Sequence, residues 1–378
     1  MNYEFALLCS SPSWGGLEMN FFKWSLWAKE LNYQCLTFID EKTTLRTQFE
    51  LFPQIQTEIF KRSLKKMDIL AAHKLSKRFQ KLNIHKVLVT STIDLDLACW
   101  IKFFYPKLVI TYVQQMQLGV VKKNLYFNWK YKNINHWICP LPWLKSQLLS
   151  MTNLREDQIH LHPLPIDTKA WRVPTPDEKL DAKRSLELAE DSLVFGLVGR
   201  IDPGKRQKLV LTAFIELLHK RPELKSKKIT LVFVGNTTLS EKTSVKYLEE
   251  LKQIVQQHQL SLFVRFLPHR ANPLIVYQGL DFFVMATPKE SFGMVTLEAL
   301  ASGLEVIGPN DGGTKDLLAN GKWGHLFLPD NISSLASAME KVLTTKSDVA
   351  GRLDYLATFD YRYVLKDYFN YFRPLEKE

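Results

Sequence analysis

Short apolar runs alternate with amphipathic stretches along almost the whole chain. EFALLC (4–9), CLTFI (35–39), KVLVTS (86–91) and LVITYV (108–113) are brief and bounded by polar segments, which predicts buried strands. A glycine turn follows the first run and opens a helix expected from about Leu17 to Leu31. HWICPLPWLKSQLL (136–149) predicts a short strand followed by a helix. The second half repeats the pattern more cleanly. LVFGLVG (193–199), ITLVFVG (229–235), LFVRFL (262–267), LDFFVMA (280–286) and EVIG (305–308) predict strands. Helices are expected over 205–220 and 241–257, at GMVTLEALASG (293–303) with its glycine stop, and at the aromatic-rich YRYVLKDYFNYF (361–372). Strands alternating with helices indicate parallel, doubly wound α/β sheets.

Four prolines in HLHPLPIDTKAWRVPTPDE (160–178) interrupt this pattern and set an expected domain boundary. A chain of 378 residues is longer than one core usually serves. The expected division is therefore 1–165, 166–350 and a C-terminal helical segment, 351–378, packing back on the first domain.

Composition adds limits. Hydrophobic residues at 46% and charged residues at 24% fit a globular chain and not a disordered one. Cys9, Cys35, Cys99 and Cys139 are far apart and sit mostly in apolar runs, so they read as core residues in a reducing compartment. MNYEFALLCSSPSWGG has no basic leader, and no apolar run reaches the ~18 residues that suggest a membrane span. A cytoplasmic, non-spanning protein is expected. Charge is uneven: residues 1–165 carry +9 and residues 166–378 carry +2. Much of the excess is Lys61, Arg62, Lys65, Lys66, Lys74, Lys77, Arg78, Lys81 and Lys86, interleaved with Leu64, Met67, Leu70, Leu75 and Phe79. This is either a solvated helix face or a surface for an anionic partner, a phospholipid surface or lipid diphosphate before nucleic acid. No nucleic-acid-reading motif accompanies it.

Three segments carry candidate chemistry. PKESFGMVTLEALASG (288–303) leaves a strand, turns through Ser291, Phe292 and Gly293, and enters a helix whose unpaired N–H groups suit a diphosphate. Glu290 and Glu298 flank that turn; taken alone, either reads more often as a cap charge or a surface residue. GLVGRIDPGKRQ (196–207) puts Arg200 and Lys205 at the carboxyl end of a strand, where open α/β sheets bind ligands. SSPSWGGLEMN (10–20) places Gly15 and Gly16 after the first strand, without the glycine spacing of a dinucleotide or P-loop motif. Asp94-Leu95-Asp96 has the D-x-D spacing used to hold divalent metals, but its place at a helix start favours capping. No histidine spacing suggests a metal site.

Together these segments resemble the GT-B glycosyltransferases, specifically retaining family 4 (glycosyl transferases group 1). ESFGMVTLE is similar to that family's E-x7-E signature, GRIDPGK to its phosphate clamp, and Gly15-Gly16 with Glu18 to its N-terminal glycine loop. The resemblance spans nearly the whole chain and is most specific over 158–330. It implies two Rossmann-like domains facing a central cleft, and transfer of a hexose from a nucleoside-diphosphate-sugar to a hydroxyl of a glycan or lipid-linked acceptor. The setting implied is polysaccharide, lipopolysaccharide or glycolipid synthesis, with the protein peripheral on the inner membrane face. Arg200 and Lys205 would bind the diphosphate, the backbone of Phe292, Gly293, Met294 and Val295 would cradle it, and Glu298 would bind the ribose. Glu290 would contact the donor sugar, Gly15 and Gly16 would close on the phosphates, and neither cofactor nor metal is expected. Asp311, Gly312 and Gly313 would form a second turn, read more simply as a loop before a helix. The family often has a histidine where this chain has Gln114, which can hydrogen-bond a sugar or acceptor but cannot carry a proton. An epimerase or hydrolase of the same fold, or a non-catalytic nucleotide-sugar-binding subunit, stays open as an alternative.

Overall fold

Parallel pairing organises both sheets of the chain. The computed structural model describes residues 3–64, 67–237, 242–345 and 348–371. Lys65 and Lys66 of the basic stretch, Glu241, and 372–378 lie outside these residues. The chain divides into two units: one joins the residues up to Pro165 to those from Phe359 on, and the other is Ile166–Thr358.

Unit 1 holds seven strands: β1 (Phe5–Cys9), β2 (Cys35–Asp40), β3 (Thr57–Phe60), β4 (Lys86–Val89), β5 (Val109–Val113), β6 (His136–Cys139) and β7 (Ile159–Leu161). Their order is β3-β2-β1-β4-β5-β6-β7, every pairing parallel. Helices cover both faces, so the central strands are buried throughout: all five residues of β1 are. Ala6, Leu8, Val87, Val89, Ile110 and Trp137 belong to this core. Leu75 and Phe79 turn into it from the helix Ile69–Lys81, whose start is capped by Asp68 accepting the Ala71 N–H. The four cysteines are buried thiols, and burial pushes those of Cys35 and Cys99 up to about 12.

The helix Tyr361–Asn370 completes this unit. Tyr361 stacks on Trp27 with ring centroids 4.5 Å apart, Phe369 stacks on Phe5 at the same separation, and Tyr368 meets Trp24 edge-on at 5.8 Å. The Tyr368 hydroxyl donates to the Pro163 carbonyl at 2.7 Å. Beyond the helix, Tyr371 lies over His160 with centroids 4.2 Å apart, and its hydroxyl is 2.6 Å from His162 Nε2. His136 Nδ1 is 3.1 Å from His160 Nε2. Burial, then the neighbouring His160, push His136 down to about 4, and burial lowers His160 and His162 as well.

Unit 2 holds β8 (Leu193–Val198), β9 (Ile229–Val234), β10 (Val264–Leu267), β11 (Phe282–Val284), β12 (Glu305–Pro309) and β13 (His325–Phe327) in the order β10-β9-β8-β11-β12-β13. It opens with the helix Pro176–Ser185, in which Pro176 takes the first position and Thr175 and Glu178 form a capping box. The proline-rich stretch thus ends in a helix start. Phe195, Leu197, Leu231, Phe233 and Val284 form the centre of its core. The expected helix over 205–220 is two pieces: a 3-10 turn at Pro203–Lys205 and an α-helix at Gln207–Lys220, separated by Arg206 in the left-handed region at φ 61°.

Candidate active site

The strand order fixes where unit 2 can bind a ligand. From β8 the chain adds β9 and β10 on one side and β11, β12 and β13 on the other, so the loops after β8 and β11 diverge at a topological switch point. The first of these loops carries Arg200 and Lys205, and the second carries Glu290. They meet there. Lys205 Nζ donates to Glu290 Oε2 at 3.2 Å, and the Ser291 N–H donates to Glu290 Oε1 at 3.0 Å. Both carboxylate oxygens are therefore held, and both side chains are partly exposed, 29% and 21%.

Three residues later the helix Met294–Ala301 begins. Its N-cap is Gly293, at φ 88° and with no side-chain cap. A side chain there would be strained, and the helix start is left to its own N–H groups, an anion-binding arrangement beside a lysine. Phe292 is buried, while Met294 and Val295 are half-buried. Glu298 lies one turn along, where its Oε2 accepts the Tyr277 hydroxyl at 2.9 Å. Tyr277 is fully buried, with Trp171 edge-on at 5.2 Å.

The Asp311-Gly312-Gly313 turn is more than a plain loop before a helix. Asp311 caps the helix Gly312–Leu317, and the Gly313 N–H donates to the Glu290 carbonyl at 2.8 Å. Gly312 has φ 58°, and a Cβ on it would lie 2.6 Å from Lys289 Cα and 2.9 Å from the Glu290 nitrogen. The turn presses directly on the backbone that presents Glu290. Sequence reasoning also missed Asp202 and Tyr277. Asp202 Oδ1 accepts the Gly204 N–H at 2.9 Å and so shapes the turn carrying Lys205; Tyr277 holds Glu298. Arg200 stands apart from the Lys205–Glu290 pair: its side chain is 66% exposed, and its Nε lies 3.8 Å from Asp202 Oδ2.

In unit 1 the switch point lies between β1 and β4. Gly15 is the N-cap of the helix Gly16–Glu30, again without a capping side chain. Glu18 is buried and accepts the Ser11 hydroxyl. Gln114 is fully buried; it accepts from Trp137 Nε1 at 3.1 Å and donates to the Met116 carbonyl at 2.9 Å. Its amide is committed to the fold at both ends. Of the two aspartates in the D-x-D string, neither is the cap; Ser91 is, accepting the Asp94 N–H at 3.0 Å. Asp94 accepts from Ser10 and faces Arg62 at 3.7 Å, and Asp96 accepts from Tyr126 and faces Lys130 at 3.8 Å. The two carboxylates serve separate buried networks. Among the described residues no group of three or more His, Cys, Asp or Glu could hold a metal ion.

The sequence profile of glycosyl transferases group 1 matches residues 178–355, nearly all of unit 2. Over this stretch the chain resembles the glycosyl transferases group 1 family. The D-inositol 3-phosphate glycosyltransferase of Stackebrandtia nassauensis is 29% identical over 226 residues, 58% of this chain and 49% of that protein. The chain thus spans about half the length of this curated relative. Two solved structures share the fold at a TM-score of 0.83. Anabaena HepE in complex with UDP is 19% identical, with 98% of this chain and 99% of that one covered. A glycosyltransferase from Rickettsia africae is 16% identical, with 98% of each covered. The fold is GT-B, and the Lys205–Glu290 pair lies inside the part matched by the group 1 profile.

Proposed function

We propose that this chain is a group 1 glycosyltransferase that moves a hexose from a nucleoside-diphosphate-sugar to a hydroxyl acceptor, with retention at the anomeric carbon. One observation carries the reading: a lysine–carboxylate pair at the switch point, next to an uncapped helix start. A diphosphate on the Met294 helix start takes its hydrogen bonds from the N–H groups there. Lys205 offsets the negative charge that grows on the leaving phosphate as the sugar approaches an oxocarbenium ion, and the exposed Arg200 from the same loop adds to it. Glu290 faces the sugar. With one oxygen on Lys205 and the other on a backbone N–H, it is held as a hydrogen-bond acceptor, which favours front-face departure over double displacement. In that route the leaving phosphate oxygen takes the acceptor proton. Glu298, fixed by Tyr277, binds the ribose. The two cations supply the charge compensation, so the reaction requires no metal.

UDP-sugars head the list of donors, because a fold neighbour was solved with UDP. D-inositol 3-phosphate, named for the curated relatives, joins glycans and lipid-linked glycans among acceptors to try. The setting we propose is cell-surface glycan or glycolipid synthesis on the inner face of a membrane. Among the described residues no helix is long and apolar enough to cross one. A thermal-shift screen of UDP-, GDP- and ADP-sugars tests the donor site. A donor at a hundredfold over its Kd should add about 2.7 kcal/mol to folded-state stability; no response to any of them would sink the proposal.

A further inference from the structure

We infer that unit 2 carries a second ligand site, an effector pocket for a phosphorylated sugar at the end of its sheet opposite the Lys205–Glu290 pair. Asn320, Lys322, His325, Ser337, Lys341 and Asp348 line a cavity of about 600 Å³, the size of site that takes one small molecule. All strands of this sheet pair in parallel. Lys205 and Glu290 follow the carboxyl ends of β8 and β11, whereas His325 is the first residue of β13, so the cavity lies at the amino ends. Its lysines are not answered by acids: Lys322 and Lys341 are exposed, and among the described residues neither forms an ion pair. The Lys322 ammonium rests over the buried Trp323 ring at 4.6 Å. Asp348 is committed to capping the helix Val349–Ala357, where it accepts the Gly351 N–H at 3.2 Å. Burial lowers His325 below the usual imidazole range; Glu305 works against this and the Lys341 ammonium adds to it, so both groups face the ring. Glu305 is itself 3.7 Å from Arg352 Nη1. Two ammonium groups and an imidazole around one cavity suit a phosphate dianion. The Asn320 amide and the Ser337 hydroxyl supply partners for sugar hydroxyls.

One short helix joins this cavity to Glu290. The helix Gly312–Leu317 begins at the turn that presses on the Glu290 backbone and runs into the 3-10 turn Ala319–Gly321 in the cavity wall. The N–H groups of Gly321 and Trp323 both donate to the Leu318 carbonyl, at 2.9 and 3.1 Å. Gly324, also in the wall, packs so closely that a Cβ on it would lie 2.9 Å from Leu318 Cδ2. Ala319 and Asn320 are held in the left-handed region, at φ 46° and 56°, a conformation that persists only where its surroundings over-determine it. A ligand that draws Asn320 and Lys322 inward therefore pulls on the far end of the helix whose near end sets Glu290. This coupling rests on the proposed donor site; binding in the cavity does not.

The test is titration calorimetry of the full chain with glucose 6-phosphate and fructose 6-phosphate, with glucose as the uncharged control. At least one phosphate ester is expected to bind, about tenfold or more tighter than glucose. Lys322→Ala/Lys341→Ala should weaken that binding by about tenfold or more while keeping the wild-type melting temperature and donor-induced thermal shift. Lys205→Ala should leave it unchanged, which separates this cavity from the diphosphate cradle. Saturating phosphate ester should then change the Kd of the donor by about fivefold or more in the wild type and not in the double variant. Failure of both esters to bind overturns the inference. So does binding that Lys205→Ala abolishes and the double variant retains, or binding that leaves donor affinity unchanged. Calorimetry with the esters alone reads the cavity even if no nucleotide-sugar binds, so a failed donor reading is told apart from a failed pocket.

Discussion

At the scale of single residues, Gly312 shows how a site depends on atoms that never touch a ligand. Its φ of 58° disfavours any side chain, and a methyl group there would collide with the Lys289 and Glu290 backbone. Lys289 is itself left-handed at φ 49°, so the segment has little freedom to yield. Gly312→Ala should cost about 2–4 kcal/mol of stability, the sum of left-handed strain and overpacking, and should lower kcat even where the protein still folds. A melting curve and a kcat measurement on the same preparation check both effects. Lys205→Ala should reduce kcat by about a hundredfold or more, the scale of losing one preorganised charge at a leaving group. Arg200→Ala should cost less, about tenfold, because that side chain is largely exposed and lies apart from the pair. Steady-state kinetics on the two variants decides the order, and equal losses would contradict this ranking. The residue types of the site were legible in the spacing of GRIDPGK and ESFGMVTLE. The Lys205–Glu290 contact was not, because it depends on which strands become neighbours. Gln114 could not be placed from sequence, because an amide at a strand end reads the same there whether or not Trp137 and a backbone carbonyl hold it, as they do here.

Among elements, legibility followed burial. The central strands β1, β4, β5, β8, β9 and β11 are apolar runs because both faces of a parallel sheet are covered. β3, β7 and β13 had no such signal: each lies at a sheet edge, has at most four residues, and is partly exposed. The helix Tyr361–Asn370 was legible from its aromatics, but the histidines behind Tyr371 come from β6, β7 and the residue after β7, and only the fold gathers them. Their acidities predict a pH response. His136 titrates near 6.5 in the unfolded chain and about 4 in the fold, so the unfolded state binds the extra proton more readily. The stability tied to His136 is intact above pH 6.5 and is lost as pH falls toward 4. Because the imidazole is only partly buried, solvent screening should hold the loss to about 1–2 kcal/mol, or several degrees in Tm. Thermal melts across this range should slope downward, and His136→Gln should flatten part of that slope. Identical slopes in the two proteins would refute the assignment.

For the whole molecule, the decisive feature is that unit 1 is assembled from two distant pieces of chain while unit 2 is continuous. Ending the chain after Thr358 removes Tyr361, Tyr368 and Phe369 and uncovers Trp24, Trp27 and Phe5. Loss of a single buried aromatic costs about 3–5 kcal/mol, so this truncation should unfold unit 1. Unit 2 should survive, because its core and its Lys205–Glu290 pair lie wholly within 166–358. Limited proteolysis of the truncated chain should therefore leave a resistant fragment containing residues 178–355; digestion of both units at equal rates would argue against their independence. A metal chelator should leave the activity of the intact chain unchanged, since the proposed mechanism gives the role of a metal cation to Arg200 and Lys205. The same discontinuity sets an order in time. On the ribosome the first unit to be synthesised cannot close its core until the residues after Thr358 appear, about 10–40 seconds after its own strands at 5–20 residues per second. Unit 2 is finished within that wait, so the half of the protein made first is the half completed last, and its unclosed aromatic face is what a chaperone would meet.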